Sequence, residues 1–227
     1  MIAKNGNRFC FFLKQKKHCQ CTRELSINLI MIEFYEFKTS GNCYKIKLML
    51  SLLDLKFESR FINPIDKEHK SEQFLELNPF GQVPVLKDGS IILRDSQAIL
   101  VYLARKYGKE HWFPIEPSDM AEIVSWLSIA TNEVARGPAL LRMHYLLGRK
   151  IDLEEAVSTT DQILSILDNM LSSRDWLVNQ EVSIADIAIY PYLALSHQGN
   201  IDLSKYTNIV NWMSRVEHLP GYVQFTQ

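Results

Sequence analysis

A chain of 227 residues is long enough for one large domain or two small ones, each able to bury a core. Its 25 Lys and Arg against 26 Asp and Glu leave a net charge of −1, which excludes a general attraction to nucleic acid or to anionic membrane. No apolar run approaches the roughly 20 residues that cross a bilayer, and three of the four cysteines, Cys10, Cys19 and Cys21, crowd into the first thirty residues, so a soluble protein of a reducing, cytoplasmic compartment is expected rather than a disulfide framework.

Residues 1–30, MIAKNGNRFCFFLKQKKHCQCTRELSINLI, hold six Lys or Arg against the single Glu24, about +5, and the remainder holds about −6. The patch FCFFL is too short and too soon interrupted by charge for a secretory h-region, and no small-residue cleavage site follows it. HCQC lacks the second ligand pair of a structural zinc site, so no metal is expected. This basic leader is expected to be a disordered tail or a matter of start-site choice, because Met31 directly precedes the first credible strand.

From Met31 onward, IEFYEF is short, aromatic and strand-like. KTSGNCYKIKL then turns into a helix in which Ile46, Met49, Leu50 and Leu53 recur at helical spacing, with Lys45 and Lys47 on the surface. FESRFIN reads as a second strand, followed by the polar PIDKEHKSE and a short helical SEQFLELN; the two strands, joined by a helix, should be parallel with a right-handed crossover. VPVL and SIILR flank KDG, where Asp88-Gly89 favours a tight antiparallel hairpin. DSQAILVYLARKYG reads as a helix with Asp95 or Ser96 at its N-cap, Ile99, Leu100 and Leu103 inward, and Gly108 at C′. Residues 31–108 are thus an α/β unit, β-α-β then β-β-α, around a small mixed sheet.

GKEHWFPIEPS, with two prolines in eleven residues, marks a linker at residues 109–117, and beyond it the strand signals vanish. Ser118 and Asp119 precede a helix carrying Ile123, Leu127 and Val134, and a break at Gly137-Pro138 separates it from ALLRMHYLLG. A long helix over about residues 152–171 puts Ile163, Ile166, Leu167 and Met170 on one face. In VSIADIAIYPYLAL, Ser183 as N-cap and Asp186 three residues on form a capping box, with Val182 and Ile187 as its hydrophobic staple. TNIVNWMSRVEH is the last helix, stopping at Pro220-Gly221, so residues 118–227 are read as all-helical.

Four motifs in this order resemble the soluble, cytosolic-type glutathione S-transferases over everything from Met31 on. FYEFKTSGNC places Ser40 at the position of the active-site serine of the serine-type classes, with Cys43 in the second position of an ancestral C-x-x-C. EHKSEQFLELNPFGQVPVL, residues 68–86, is close to the phi-class pattern. RDSQAIL resembles the E-S-x-A-I element, with Asp95 in the acidic position, Arg94 and Gln97 departing from the commoner residues, and VSIADIAIYPYL resembles the capping box of the helical domain. The resemblance implies a thioredoxin-like N-terminal domain with a mixed four-stranded sheet, an all-helical C-terminal domain, glutathione as co-substrate, no metal, and a homodimer.

It also implies roles. An isolated X-Pro bond is cis only about 5–6% of the time, but the family has Val83-Pro84 cis, exposing the Val83 backbone to pair with the cysteinyl part of glutathione as an added strand would. Ser96, at a helix start that favours a carboxylate, would hold the γ-glutamyl α-carboxylate, with Asp95 helping at the ammonium; both residues could equally serve only as caps. His69, Lys70 and Gln82 match positions that meet the glycyl carboxylate. Phe37, Asn42, Trp126, Arg136 and Leu140 are the candidates for an electrophile site between the domains.

For Ser40 the implied chemistry sets a quantitative demand. Lowering a thiol pKa from about 8.5 by about two units takes roughly 2.7 kcal/mol. A hydrogen bond to a charged acceptor supplies roughly 1.5–3 kcal/mol and a helix N-terminus about 0.3–1 more, so Ser40 would donate to the glutathione sulfur and not act as a nucleophile. Its competing role is N-cap of the first helix. Cys43 is read either as a buried packing residue or as a thiol that forms a mixed disulfide with glutathione. The expected function is conjugation of glutathione to small hydrophobic electrophiles, with peroxide reduction as a side activity. The rivals are a glutathione-dependent disulfide reductase or dehalogenase on the same scaffold, and a non-catalytic protein that binds glutathione or hydrophobic ligands.

Overall fold

A computed structural model describes residues 31–226; the basic leader, with Cys10, Cys19 and Cys21, lies outside the described residues. The α/β half begins with β1 (Ile32–Glu36), whose alternate residues Ile32, Phe34 and Glu36 point inward. It continues with α1 (Gly41–Leu52), β2 (Phe57–Phe61), a single 3₁₀ turn (Glu68–Lys70), α2 (Glu72–Leu77), β3 (Val85–Asp88), β4 (Ile91–Arg94) and α3 (Ser96–Tyr107). The sheet order is β2-β1-β3-β4, with β1 and β2 parallel and the other two pairings antiparallel. Phe34 lies opposite Leu86, and Leu86 opposite Leu93. The hairpin loop is Gly89 and Ser90, with Gly89 at φ +61°, a conformation open to glycine at no steric cost. This is the mixed four-stranded, thioredoxin-like arrangement expected from the sequence, followed by helices only.

The helical half comprises α4 (Pro117–Thr131), α5 (Glu133–Arg136), α6 (Pro138–Leu147), α7 (Leu153–Leu171), α8 (Ile184–Ala194) and α9 (Thr207–Glu217). The start of α4 lies earlier than expected: Glu116 caps it, accepting from the backbones of Ser118 and Asp119, and Pro117 takes the first helical position, where its missing N–H costs nothing. The helix breaks at Asn132, so Val134 belongs to α5 and not to the helix of Ile123 and Leu127. On α7 the inward face is Ala156, Thr160, Ile163, Leu164, Leu167 and Leu171; Ile166 is 46% exposed because the stripe drifts around the helix at 3.6 residues per turn. No helix among the described residues is long and apolar enough to cross a membrane.

Helix α8 is the axis of the molecule, with every residue from Ile184 to Pro191 buried. It packs on α4, α1, α3 and α9, and that placement explains the largest departure from the expected pattern. Ile46, Met49 and Leu50 are fully buried as the spacing predicts, but so is Lys45, at 0% exposure. With the sheet and α3 on one side and α8 on the other, α1 has almost no solvent-facing side. Lys47 is half-buried and pairs with Glu36 at 3.0 Å. Gly41, the first residue of α1, sits so close to α8 that a Cβ there would lie 2.9 Å from the ring of Tyr192. Gly108, by contrast, is not in the left-handed C′ conformation; it caps α3 in extended backbone, and its lack of a side chain is required by Ala104 O and Trp112, 2.6 and 2.9 Å from a built Cβ.

Candidate active site

The turn after β1 sets Ser40. Its N–H donates to Phe37 O (3.2 Å), its backbone is extended, and its Oγ accepts from the N–H of Cys43 at 3.2 Å, which makes it the N-cap of α1. A hydroxyl carries one proton and two acceptor lone pairs. The cap uses a lone pair and fixes the oxygen, leaving the O–H to donate outward; capping and donating to a sulfur are compatible in one side chain. The N-terminus of α1 adds its orphan N–H groups and dipole, both favourable to an anion at that point.

Cys43 lies one turn further in, fully buried, and burial pushes its thiol up to about 12. A thiol held there is the neutral form at any physiological pH, with the surroundings of a packing residue. Cys43→Ala should therefore leave turnover within about twofold and cost roughly 1 kcal/mol of stability through the small void it leaves. Loss of turnover in Cys43→Ala with turnover retained in Ser40→Ala, measured side by side, would reverse the two roles.

Beyond Asn42 opens a cleft of about 260 Å³, a little below the usual range of drug-sized ligand pockets. Gln82, Val83, Pro84, Asp95 and Ser96 border it, and the Val83-Pro84 bond is cis. Asn42, expected on the electrophile side, borders this cleft as well. Asp95 is the N-cap of α3: its Oδ1 accepts from the N–H groups of Gln97 (2.9 Å) and Ala98 (3.0 Å). Those two bonds hold it at φ +75°, a region few non-glycine residues adopt. Ser96 is then the first helical residue, 5% exposed, and its Oγ accepts from Lys45 Nζ at 3.3 Å. Lys45 Nζ also donates to Asn42 Oδ1 at 3.1 Å. Burial pulls its ammonium down to about 7, with Asp95 pulling the other way.

Three further residues of this cleft were not among the expected site residues: Asn78, Phe80 and Arg94, the last noted only as a departure from the family element. Asn78 is buried and pins the NPFGQ loop from both ends, Nδ2 donating to Gln82 O (2.7 Å) and Oδ1 accepting from Phe80 N–H (3.1 Å). Gly81 within that loop has φ +58° and faces His69 O, 2.7 Å from where a Cβ would lie. The Asn-Pro-x-Gly cluster was the available signal for such a turn. Arg94 stacks on the Phe80 ring at 5.6 Å. His69 and Lys70 are placed differently from the expectation. Lys70 Nζ donates to Phe80 O (3.1 Å), His69 meets Phe37 edge-on (5.4 Å), and neither borders the cleft.

A second cleft, about 190 Å³, adjoins Ser40. Phe37, Tyr44 and Phe61 form its apolar part, Glu36 and Lys47 its charged edge, and residues 224–226 its far wall. The tail that supplies this wall is anchored on α1 and α8: Tyr44 OH donates to Val223 O (3.0 Å), the Tyr44 and Phe225 rings meet at 5.3 Å, and the Tyr190 and Tyr222 hydroxyls lie 2.8 Å apart. Of the residues expected to line an electrophile site, only Phe37 is here. Trp126 is 3% exposed within the helical core, Arg136 pairs with Glu155 on the surface, and Leu140 is half-buried on α6 away from both clefts. A tryptophan on an apolar helical face is drawn inward by the area it buries, and α4 turns that face to α8.

Residues 34–111 match the model of the glutathione S-transferase N-terminal domain, and residues 109–220 that of the glutathione S-transferase C-terminal domain. Glutathione S-transferase theta-1 of Bos taurus is 28% identical over 207 residues, 86% of each chain. The solved structure of a glutathione S-transferase from Pseudomonas fluorescens superposes with a TM-score of 0.80 at 32% identity, over 87% of this chain and all of that one. A glutathione transferase homologue from Drosophila mojavensis, solved with bound glutathione, superposes with a TM-score of 0.76 at 26% identity, covering 85% of this chain and 90% of that one.

Proposed function

This chain belongs to the glutathione S-transferase family and is an enzyme of that family, and we propose that it holds glutathione in the cleft of Val83 and Ser96, ionises the thiol against Ser40, and directs the thiolate at a small hydrophobic electrophile in the cleft of Phe37 and Tyr44. The observation that carries this reading is the position of Ser40: its oxygen is fixed by Cys43 N–H, it lines the cleft of Phe37 and Tyr44, and Asn42, two residues on, borders the cleft of Val83 and Ser96. In this reading the Val83 backbone pairs with the cysteinyl unit. Ser96 receives the α-carboxylate at the start of α3, and the reacting sulfur lies near the N-terminus of α1. Peroxide reduction by the same thiolate belongs to this reading, as do a cytoplasmic location and pairing of two copies. The exposed Phe80, Ile91 and Ile92 offer apolar surface that a second copy could cover.

The burial of Cys43 weighs against the disulfide-reductase rival, whose chemistry needs an accessible thiolate. The test is a panel of an aryl halide, an organic hydroperoxide and a glutathione mixed disulfide, each assayed with glutathione. Conjugation of the halide as the fastest reaction is expected. Turnover of the mixed disulfide alone would favour the reductase, and retention on immobilised glutathione without any turnover would favour the binding protein.

A further inference from the structure

Lys45 has no place in the mechanism above, and its surroundings are unusual for a lysine. It is completely buried on α1, and its ammonium has two neutral partners, Asn42 Oδ1 and Ser96 Oγ. Among the described residues no carboxylate lies within 4.0 Å of it. An ammonium has three donors, and a buried cation without a counter-ion is costly. Both partners border the glutathione cleft, so Lys45 Nζ lies one hydrogen bond behind its wall, at the residue where the start of α3 would receive a carboxylate. We propose that Lys45 is a positioning residue: it orients Ser96 and supplies the buried counter-charge for the α-carboxylate of glutathione, taking up a proton from solvent when that carboxylate binds.

This inference rests on the reading of the cleft given above. The groups that face Lys45 are few. Asp95 at the start of α3 is the nearest acid, and Tyr192 of α8 presents its ring at 5.9 Å. Burial pushes the Tyr192 hydroxyl up to about 12, so it stays neutral, and Arg142 of α6 is the next charge beyond it. On α1 itself Cys43 is neutral. With its ammonium held down to about 7, Lys45 is largely uncharged at pH 8 in the free protein. A carboxylate arriving beside Ser96 favours the charged form and draws the proton in.

S-methylglutathione is the appropriate probe, since it carries the α-carboxylate and has no thiol to ionise. Calorimetry at pH 8 in buffers of different ionisation enthalpy should find uptake of about one proton on binding to the wild type. Lys45→Met should show no uptake and, at pH 6.5, an affinity about tenfold lower. Lys45→Arg, charged at every accessible pH, should bind without uptake and with affinity that does not fall between pH 6.5 and 8.5. A second readout needs no ligand. Unfolding returns Lys45 to an ordinary ammonium, so between about pH 7 and 10 the unfolded chain holds the extra proton, and wild-type stability should rise with pH by up to about tenfold in the folding constant per unit. Lys45→Met should lack that rise. Wild-type binding without proton uptake, or uptake that persists in Lys45→Arg, overturns the proposal while leaving the cleft reading intact. Failure of the wild type to bind S-methylglutathione at all overturns both.

Discussion

Ser40→Ala should lower kcat/KM for conjugation about 10- to 100-fold, because a hydrogen bond from its hydroxyl to a thiolate is worth roughly 1.5–3 kcal/mol, one to two decades of rate. The KM for glutathione should change little, since the proposed reading has the tripeptide held by groups of the other cleft. The pKa of bound glutathione, followed by thiolate absorbance, should return toward the ordinary value of about 8.5. Ser40 is also the N-cap of α1, so the alanine variant should lose about 1 kcal/mol of stability as well. Ser40→Gly separates the two effects: glycine caps within a few tenths of a kcal/mol of serine, so that variant should be nearly as stable as the wild type yet as inactive as alanine. An active Ser40→Gly enzyme would show that the serine serves the helix and not the sulfur.

The second large effect concerns the fold. Asp186→Ala should destabilise the chain by about 3–4 kcal/mol and lower the unfolding midpoint by roughly 10 °C. Asp186 is fully buried in α8; Oδ1 accepts from Leu177 N–H (3.0 Å) and Trp212 Nε1 (2.9 Å), and Oδ2 from Ser183 N–H (2.9 Å). Burial lifts its carboxyl above the ordinary range, so charging it inside the fold is costly, and these donors offset the cost. Truncation strands the N–H groups of Leu177, Ser183 and Trp212 in the core, each worth about 1–3 kcal/mol when unsatisfied, less the relief of removing a buried charge. Asp186→Asn keeps one oxygen for Leu177 and Trp212 and should fall between. A midpoint within about 2 °C of wild type for the alanine variant would mean that the capping box does not brace the helical half.

That box was legible in the sequence because it is local: Ser183, Asp186, Val182 and Ile187 lie within six residues, and their roles depend on helix geometry alone. The strands, the hairpin and the inward faces of α1 and α3 were legible for the same reason. Trp212, which completes the Asp186 network, comes from α9 and could not be paired with it by spacing. The candidate site divides in the same way. Ser40, Val83, Pro84, Asp95 and Ser96 sit in motifs with turn and cap chemistry of their own. Phe225 and its neighbours meet Ser40 only because the chain returns across α1 after nearly two hundred residues. Lys45 misled because a charged residue on a helix reads as solvent-facing; only the arrival of α8, from the far half of the sequence, removes its access to water.

The contact between Gly41 and Tyr192 bears on how this scaffold can be recombined. The first residue after the serine has no room for a methyl group, and what fills that room is a side chain of the other half. A chimera that joins this α/β half to the helical half of a relative would keep its serine in place only if the incoming α8 brought an aromatic ring of the same reach. A smaller residue would let the start of α1 drift, and a larger one would push it into the cleft. Exchange of halves therefore depends on positions 41 and 192 among the contacts of α1 and α3 with α8, and libraries built on it should vary them together.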